Sequence, residues 1–357
     1  MKPGSHPEAG DEQVERSGRA QTSALARPDR ARTSALSGRP YIRFALIRVA
    51  QGVAVLVLVY VVVFVALTVI PGDPISERLQ APGQNHSKAE IARLLAYYGL
   101  DRGYPEQLSS SLVHALTGDF GYSLLNGASV TSVLGQALPT TLLLASIALG
   151  IAVAIGVVVA VGAAYLPHAR GGDLLRALPS LFLSVPNFLI GLLLIQFLSF
   201  QLGWFQVVRD EGLKSYLLPA VTLGIAVSAP IAEVLITGLD SARSQQYAVM
   251  AVAKGLSSRR IFFAHLLKPA ALPTLTIVGL AVGELLGGAV IVESVFGLNG
   301  IGSIVERSVI NQDTPVLLAI AVLAASFYVV INLIVDLSYP LLDPRLRTPA
   351  VDPVERS

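Results

Sequence analysis

The chain has 357 residues, of which 53% are hydrophobic and 14% charged, with a net charge of +2 and a mean hydropathy of +0.63. An ordinary soluble domain carries about 25% charged residues, so this chain cannot coat a soluble globule and reads as a polytopic membrane protein. It has no cysteine, which removes disulfides, thiolate metal sites, iron–sulfur clusters and cysteine nucleophiles together. Its five histidines form no HExxH and no close pair, and no GxxxxGK[ST] loop is present to cradle ATP. The Gly297–Gly302 stretch misses the dinucleotide fingerprint.

Residues 1–40 are rich in Arg, Ser, Ala, Pro and Gly and predict a disordered tail. The first apolar run starts too late and is too long for a secretory signal. A helix needs about 20 mostly apolar residues to cross the hydrocarbon core. Six segments meet that length: Val49–Ile70, Leu138–Tyr165, Leu178–Leu202, Tyr216–Ile236, Ala271–Val292 and Val316–Leu337. Their apolar runs are continuous, without the alternation of a membrane β-barrel. The expected fold is therefore all-α, a polytopic protein with six transmembrane helices. Residues 41–347 form the membrane domain, with a long external loop at 71–137, an internal loop at 238–270 and a short tail at 348–357.

Basic residues set the expected orientation. Arg27, Arg30, Arg32, Arg39, Arg43 and Arg48 precede span 1; Arg170 and Arg176 lie between spans 2 and 3. Arg243, Lys254, Arg259, Arg260 and Lys268 lie between spans 4 and 5, and Arg345 and Arg347 follow span 6. The short loops on the other side carry only Arg209, Lys214 and Arg307. Both termini are thus expected in the cytoplasm. In the long external loop, Ser87-Lys88-Ala89-Glu90 has capping-box spacing, followed by Ile91, Leu94, Leu95 and Tyr98 and a stop at Gly99. Pro105 predicts the start of a second helix carrying Leu108, Leu112 and Leu116 and ending near Gly118. Such helices suit a membrane surface, an external partner or packing on the span bundle equally well.

The loop between spans 4 and 5 is long for a connector. Ser241 or Ser244 predicts the cap of a helix running to Lys254; Gly255 suits a left-handed stop, and Ser257 caps a second helix leading towards Pro269 and Pro273. Two short helices meeting at a glycine make a rigid knob, which can pass force from a soluble motor to the bundle.

This loop resembles the EAA-type loop of the membrane subunits of bacterial ABC importers, and more closely that of the oligopeptide, dipeptide and nickel permeases. The resemblance rests on Tyr247, Ala251, Ala253, Lys254, Gly255 and Leu256, followed by His265, Leu267, Leu272 and Pro273. Further blocks agree in order over about residues 41–347: Ile70-Pro71-Gly72-Asp73-Pro74, Gly118-Asp119-Phe120-Gly121-Tyr122-Ser123, Ser184-Val185-Pro186-Asn187-Phe188, Val292-Glu293-Ser294-Val295-Phe296, Gly300-Ile301-Gly302 and Asp343-Pro344-Arg345. The Pro-Gly-Asp-Pro block and the long first outer loop resemble the first of the two permease types, dipeptide-permease-B-like. The chain departs where Val249 and Val252 replace frequent basic residues, where Glu233 and Ile236 replace frequent arginines, and at Pro269. These departures put the identity of the ATPase partner in question.

The resemblance implies a transport subunit rather than an enzyme, with no cofactor in this chain and ATP and Mg on partner subunits. It implies a second, homologous permease forming a heterodimer, two cytoplasmic ATPases, an external substrate-binding protein, no nucleic acid, and residence in the bacterial plasma membrane. Peptides are the expected cargo, with nickel or another small solute as the alternative; an ATP-independent secondary transporter would need more coupling-ion positions.

For each candidate residue a plain structural role stands beside the functional one. Gly255 fits a required hinge and also an ordinary helix-end glycine. Lys254 fits an ion pair with the motor and also a solvated position. Tyr247 and Ala251, four apart, share one helix face suited to docking. Glu284 lies deep in span 5 among Gly279, Gly283, Gly287 and Gly288, where an ionisable group is costly and faces a bundle interior or water. It is the candidate for the translocation path, where it would meet a cationic part of the substrate; a hydrogen-bonded structural glutamate is the alternative. Glu293 reads as interfacial and structural. Asn332 and Asp336 read as helix–helix bonding groups, and Pro186, Pro219 and Pro230 as breaks or bends in spans 3 and 4. No metal ligand set is expected.

Overall fold

A computed structural model describes residues 39–69, 103–166, 171–205 and 212–342. The first predicted loop helix, at 87–99, lies outside these residues, as do the Pro-Gly-Asp-Pro block and Asp343-Pro344-Arg345. The helices in chain order are α1 (Arg39–Val69), α2 (Tyr104–Leu116), α3 (Val130–Tyr165), α4 (Gly172–Ser184) and α5 (Asn187–Leu194), the last continued by a π-helical turn at Ile195–Gln201. Then come α6 (Leu217–Ser244), α7 (Gln246–Ala253), α8 (Ser258–Ile261), a second π turn at Phe262–Leu266, α9 (Leu267–Phe296), α10 (Ile301–Ile310) and α11 (Thr314–Leu342). Among the described residues there is no strand, only an isolated bridge between Tyr122 and Ser129.

Five helices are each long and apolar enough to cross a membrane: α1, α3, α6, α9 and α11. The third expected span is different. It is a bent pair, α4 and α5 with its π turn, turning through 100°; counted as one span it makes six. The cause is local. Proline lacks the N–H that a continuing helix needs and pushes its predecessor out of the helical region. Val185 accordingly takes φ −104° and ψ 123° in front of Pro186, which then opens α5. Pro219 falls in the first turn of α6, where a missing N–H is tolerated, and Pro230 lies inside α6 without ending it. The helix predicted from Pro105 is present as α2, with Gly118 in the left-handed region just beyond it.

Small residues explain how the bundle closes. On α3, Ala148, Ala152, Gly156 and Ala160 recur every fourth position and are all buried, forming one flat stripe that lets another backbone approach. It packs on α6, where a Cβ on Gly224 would stand 2.7 Å from the Ile151 side chain, and one on Gly156 would stand 2.8 Å from Ile231. The central core joins this pair to α9 through Leu144, Leu223, Val227, Ile231, Leu285 and Val292. Gly224→Leu is expected to lose most of the folded protein recovered as a monodisperse peak in mild detergent, since overpacking of this kind costs about 1–3 kcal/mol or more. Gly150→Leu, where a Cβ meets nothing within 4 Å, is expected to be recovered like the parent.

The end of the bundle that bears α7 is tied by polar contacts. Arg176 of α4 grips Asp240 of α6 with two guanidinium nitrogens, at 2.5 and 3.2 Å. Arg243 donates to the Ala164 carbonyl at the end of α3, at 2.8 Å. Arg48 of α1 pairs with Asp336 of α11 at 3.2 Å, which is the interhelical role expected of Asp336. Asn332 instead donates to the Tyr328 carbonyl of its own helix, at 2.8 Å, because a carbonyl one turn back lies within reach of an asparagine amide.

Candidate functional site

The knob predicted between spans 4 and 5 is present. α6 runs on through Ser244, so Ser241 and Ser244 lie inside it rather than capping the next helix, and Ser244 Oγ donates to the Ser241 carbonyl at 2.8 Å. The continuation follows from packing, since Leu235, Leu239 and Ala242 stay buried in a second core to the end of the helix. Gln245 supplies the break in an extended conformation, and α7 begins.

α7 ends in a two-bond stop. The Gly255 N–H donates to the Val252 carbonyl at 2.9 Å, and the Leu256 N–H to the Ala251 carbonyl at 3.2 Å. This pairing closes a helix through a left-handed residue, and Gly255 has φ +74°, where a Cβ is penalised. Leu256 folds back on the same core as Ala251. Ser257 occupies the cap position of α8 by backbone only, with Ile261 N–H donating to its carbonyl at 3.0 Å. Phe262, buried in the π turn, lies 5.2 Å by ring centres from Tyr165 at the end of α3. The knob is therefore anchored to α3, α6 and α9 by side chains, not hung on a tether.

Within α7 the expected residues divide. Ala251 and Ala248 point inward, 4% and 3% exposed, beside Leu239, Phe262 and Leu266. Ala251 therefore does not share an open face with Tyr247; its small size lets α7 lie close on the core. The open face carries Tyr247, Val249, Met250, Val252, Ala253 and Lys254. It is largely apolar, and it is continued by the exposed ring of Phe263. Val249 and Met250, absent from the expected set, belong to it. Their signal was in the sequence: two large apolar residues flanking a helix whose alanines form the inner stripe.

A second built site lies at the opposite end of the bundle. Glu293, in the last turn of α9, is 0% exposed. Its carboxylate accepts from Thr141 Oγ1 of α3 at 2.6 Å and from the Gly302 and Ser303 N–H groups at 2.7 and 3.4 Å. Thr141 Oγ1 in turn accepts the Ile301 N–H at 2.8 Å. The first N–H groups of α10 are thus satisfied by side chains of two other helices, and a negative group meets the positive end of the helix dipole. The structural role expected of Glu293 is borne out. The spacing in Gly300-Ile301-Gly302 is explained too: a Cβ on Gly300 would overlap the Glu293 carboxylate, and one on Gly302 the Val290 backbone.

Asp313, buried at 1% exposed, does similar work for the outer loop. It accepts the Leu124 N–H at 3.0 Å and the Ser123 hydroxyl, pinning the turn between α10 and α11 to the segment before α3. Sequence reading missed it because a lone aspartate before a span reads as solvated.

Glu284 sits near the middle of α9 and is exposed in the single chain. Of the glycines around it, Gly279 meets Val335 and Gly283 meets Tyr328 of α11, and Gly288 meets Leu223 of α6. The close packing expected of them holds there; Gly287 meets nothing within 4 Å. Among the described residues no group of three or more His, Cys, Asp or Glu side chains could hold a metal ion.

Residues 152–348 match the family described as binding-protein-dependent transport system inner membrane component. The chain is 34% identical to "Probable peptide ABC transporter permease protein y4tP" of Sinorhizobium fredii, over 85% of this chain and 99% of that one. It is 31% identical to the glutathione transport system permease protein GsiC of Escherichia coli K12, over 86% and 99%. It is also 31% identical to the oligopeptide transport system permease protein AppB of Bacillus subtilis, over 84% and 97%.

Proposed function

Since the chain belongs to the family of inner membrane components of binding-protein-dependent transport systems, we propose that it is one half of the translocation pathway of an ATP-driven peptide importer. The observation that carries this reading is likeness along nearly the whole chain to permeases named for peptides, oligopeptides and glutathione. The knob, Glu293 and Asp313 fall within residues 152–348, which match the family.

The knob has the properties a force-transmitting element needs: a defined helix stop, buried alanines and an aromatic anchor on α3. Its open face is largely apolar with Lys254 at its end, so the ATPase that receives it presents a largely apolar groove. ATP-driven approach of two ATPases would bring this knob and that of a homologous second permease together and turn the pathway outward. Hydrolysis would return it inward. Such a cycle requires a bundle with two arrangements whose equilibrium both nucleotide and substrate bias. Both termini then lie in the cytoplasm, with the knob, and the Glu293 and Asp313 clasps lie on the outer side, where the binding protein delivers solute. ATP and Mg act on the partner subunits.

The test is uptake into proteoliposomes holding the complete complex. A labelled tripeptide is expected to accumulate only with internal ATP and external binding protein. Accumulation of nickel without peptide would replace the cargo assignment, and uptake driven by an ion gradient without ATP would remove the motor.

A further inference from the structure

We propose that Glu233 of α6 and Glu284 of α9 form an acidic track along one side of the translocation path and favour solutes of net positive charge. This rests on the import reading above.

α6 and α9 run antiparallel and touch along their length. Gly288 lies against Leu223, and Gly238 against Ala270. α9 is covered towards α6 by Ala281, Leu285 and Val292, and towards α11 by Gly279 and Gly283. The strip left uncovered is Leu280, Glu284, Gly287 and Ile291, all exposed. α6 is covered on its α3 side through Gly224 and Ile231, and its uncovered strip in the knob-end half is Glu233, Thr237 and Ser241.

The helical rotation of about 100° per residue fixes where these strips face. Glu233 stands about a quarter-turn or slightly more from the line on α6 that meets α9. Glu284 stands about a sixth of a turn from the line on α9 that meets α6. Because the helices run in opposite directions, both rotations lead to the same side of the pair. Counting from the Leu223–Gly288 level at about 1.5 Å per residue, the two carboxylates are about 9 Å apart along the bundle. That is too far to share a proton and close enough for an extended solute to meet one after the other.

This side does not face lipid. A carboxylate on a lipid-facing strip within a span is costly, and among the described residues neither glutamate has a hydrogen-bond or ion-pair partner to reduce that cost. The exposed strips of α1 and α11 have the composition lipid requires, with Val53, Leu58 and Val62 on one and Val330 and Ile334 on the other. Two unpaired carboxylates on one side of two touching helices instead suit a water-filled path, where they attract cations and repel anions.

The absence of cysteine permits a direct test in the assembled complex. Gly287→Cys is expected to react with a cationic, membrane-impermeant methanethiosulfonate about tenfold faster than with an anionic one. That preference is expected to fall to about twofold or less when Glu284→Gln is added, while Ile334→Cys reacts with neither. Equal rates for the two reagents, or a preference that survives Glu284→Gln, would overturn the proposal. The transport counterpart is the ratio of lysyl to glutamyl tripeptide uptake, which the double variant Glu233→Gln/Glu284→Gln is expected to lower about tenfold. An unchanged ratio would contradict the acidic track; a parent complex that imports neither peptide would contradict the import reading instead.

Discussion

Glu293→Ala is expected to lower the thermal stability of the protein more than any other single substitution at the outer end. The side chain is fully buried and satisfies Thr141 Oγ1 and the Gly302 N–H, with a longer bond to Ser303. Truncation leaves at least two buried donors without an acceptor, each costing about 1–3 kcal/mol, and adds a cavity. A total of about 3 kcal/mol or more is expected, read as a lower midpoint for loss of the monodisperse peak after heating in detergent. Thr141→Val removes one donor to Glu293 and the acceptor of the Ile301 N–H, at about 1–3 kcal/mol. The two changes share one network, so the double variant is expected to lose less than their sum. A parent-like midpoint for Glu293→Ala would show that the clasp does not hold α10 in place.

The second large effect concerns the knob. Met250→Asp/Val252→Asp places two charges on the open face of α7, where both parent side chains are more than 60% exposed. The fold loses nothing buried, so recovery of the permease is expected to match the parent. A docking partner loses two apolar anchors and must desolvate two carboxylates. The few residues that dominate an interface cluster near its centre and are each worth about 2 kcal/mol or more. ATPase affinity is therefore expected to fall about 100-fold or more, read as loss of the ATPases from a tagged permease on purification. Ala251→Leu acts by another route: it overpacks the second core and lowers recovery of the permease itself. ATPases that stay bound to the doubly substituted knob would place the docking surface elsewhere.

The long spans were legible in the sequence because an unbroken apolar run has one solution in a bilayer; α11 begins two residues before its expected start, while α3 begins eight residues early, at Val130, within the stretch expected to be external loop. The knob's stop at Gly255 was legible for a similar reason, since few residues besides glycine tolerate the left-handed conformation. Span 3 was legible only in part. Its composition predicts a crossing, and the sharp turn at Pro186 depends on how α4 and α5 pack once the helix is interrupted. What faces what was the least accessible. Ala251 and Tyr247 lie on one face by spacing, yet the second core draws Ala251 inward and leaves Val249 and Met250 outside. Glu293 and Thr141 are 152 residues apart, and no local pattern announces their bond. Asp313 is hidden in the same way, since its partners precede it by 189 and 190 residues.

The central claim is that this chain transmits the work of an external ATPase through the knob. Its most direct test is ATP hydrolysis by the reconstituted complex, with and without loaded binding protein, for the parent chain and for one lacking Tyr247–Gly255. The account predicts stimulation by the loaded binding protein in the parent, and a deleted chain that still inserts but shows no stimulation. Hydrolysis that still responds to the loaded binding protein in the deleted chain would contradict it.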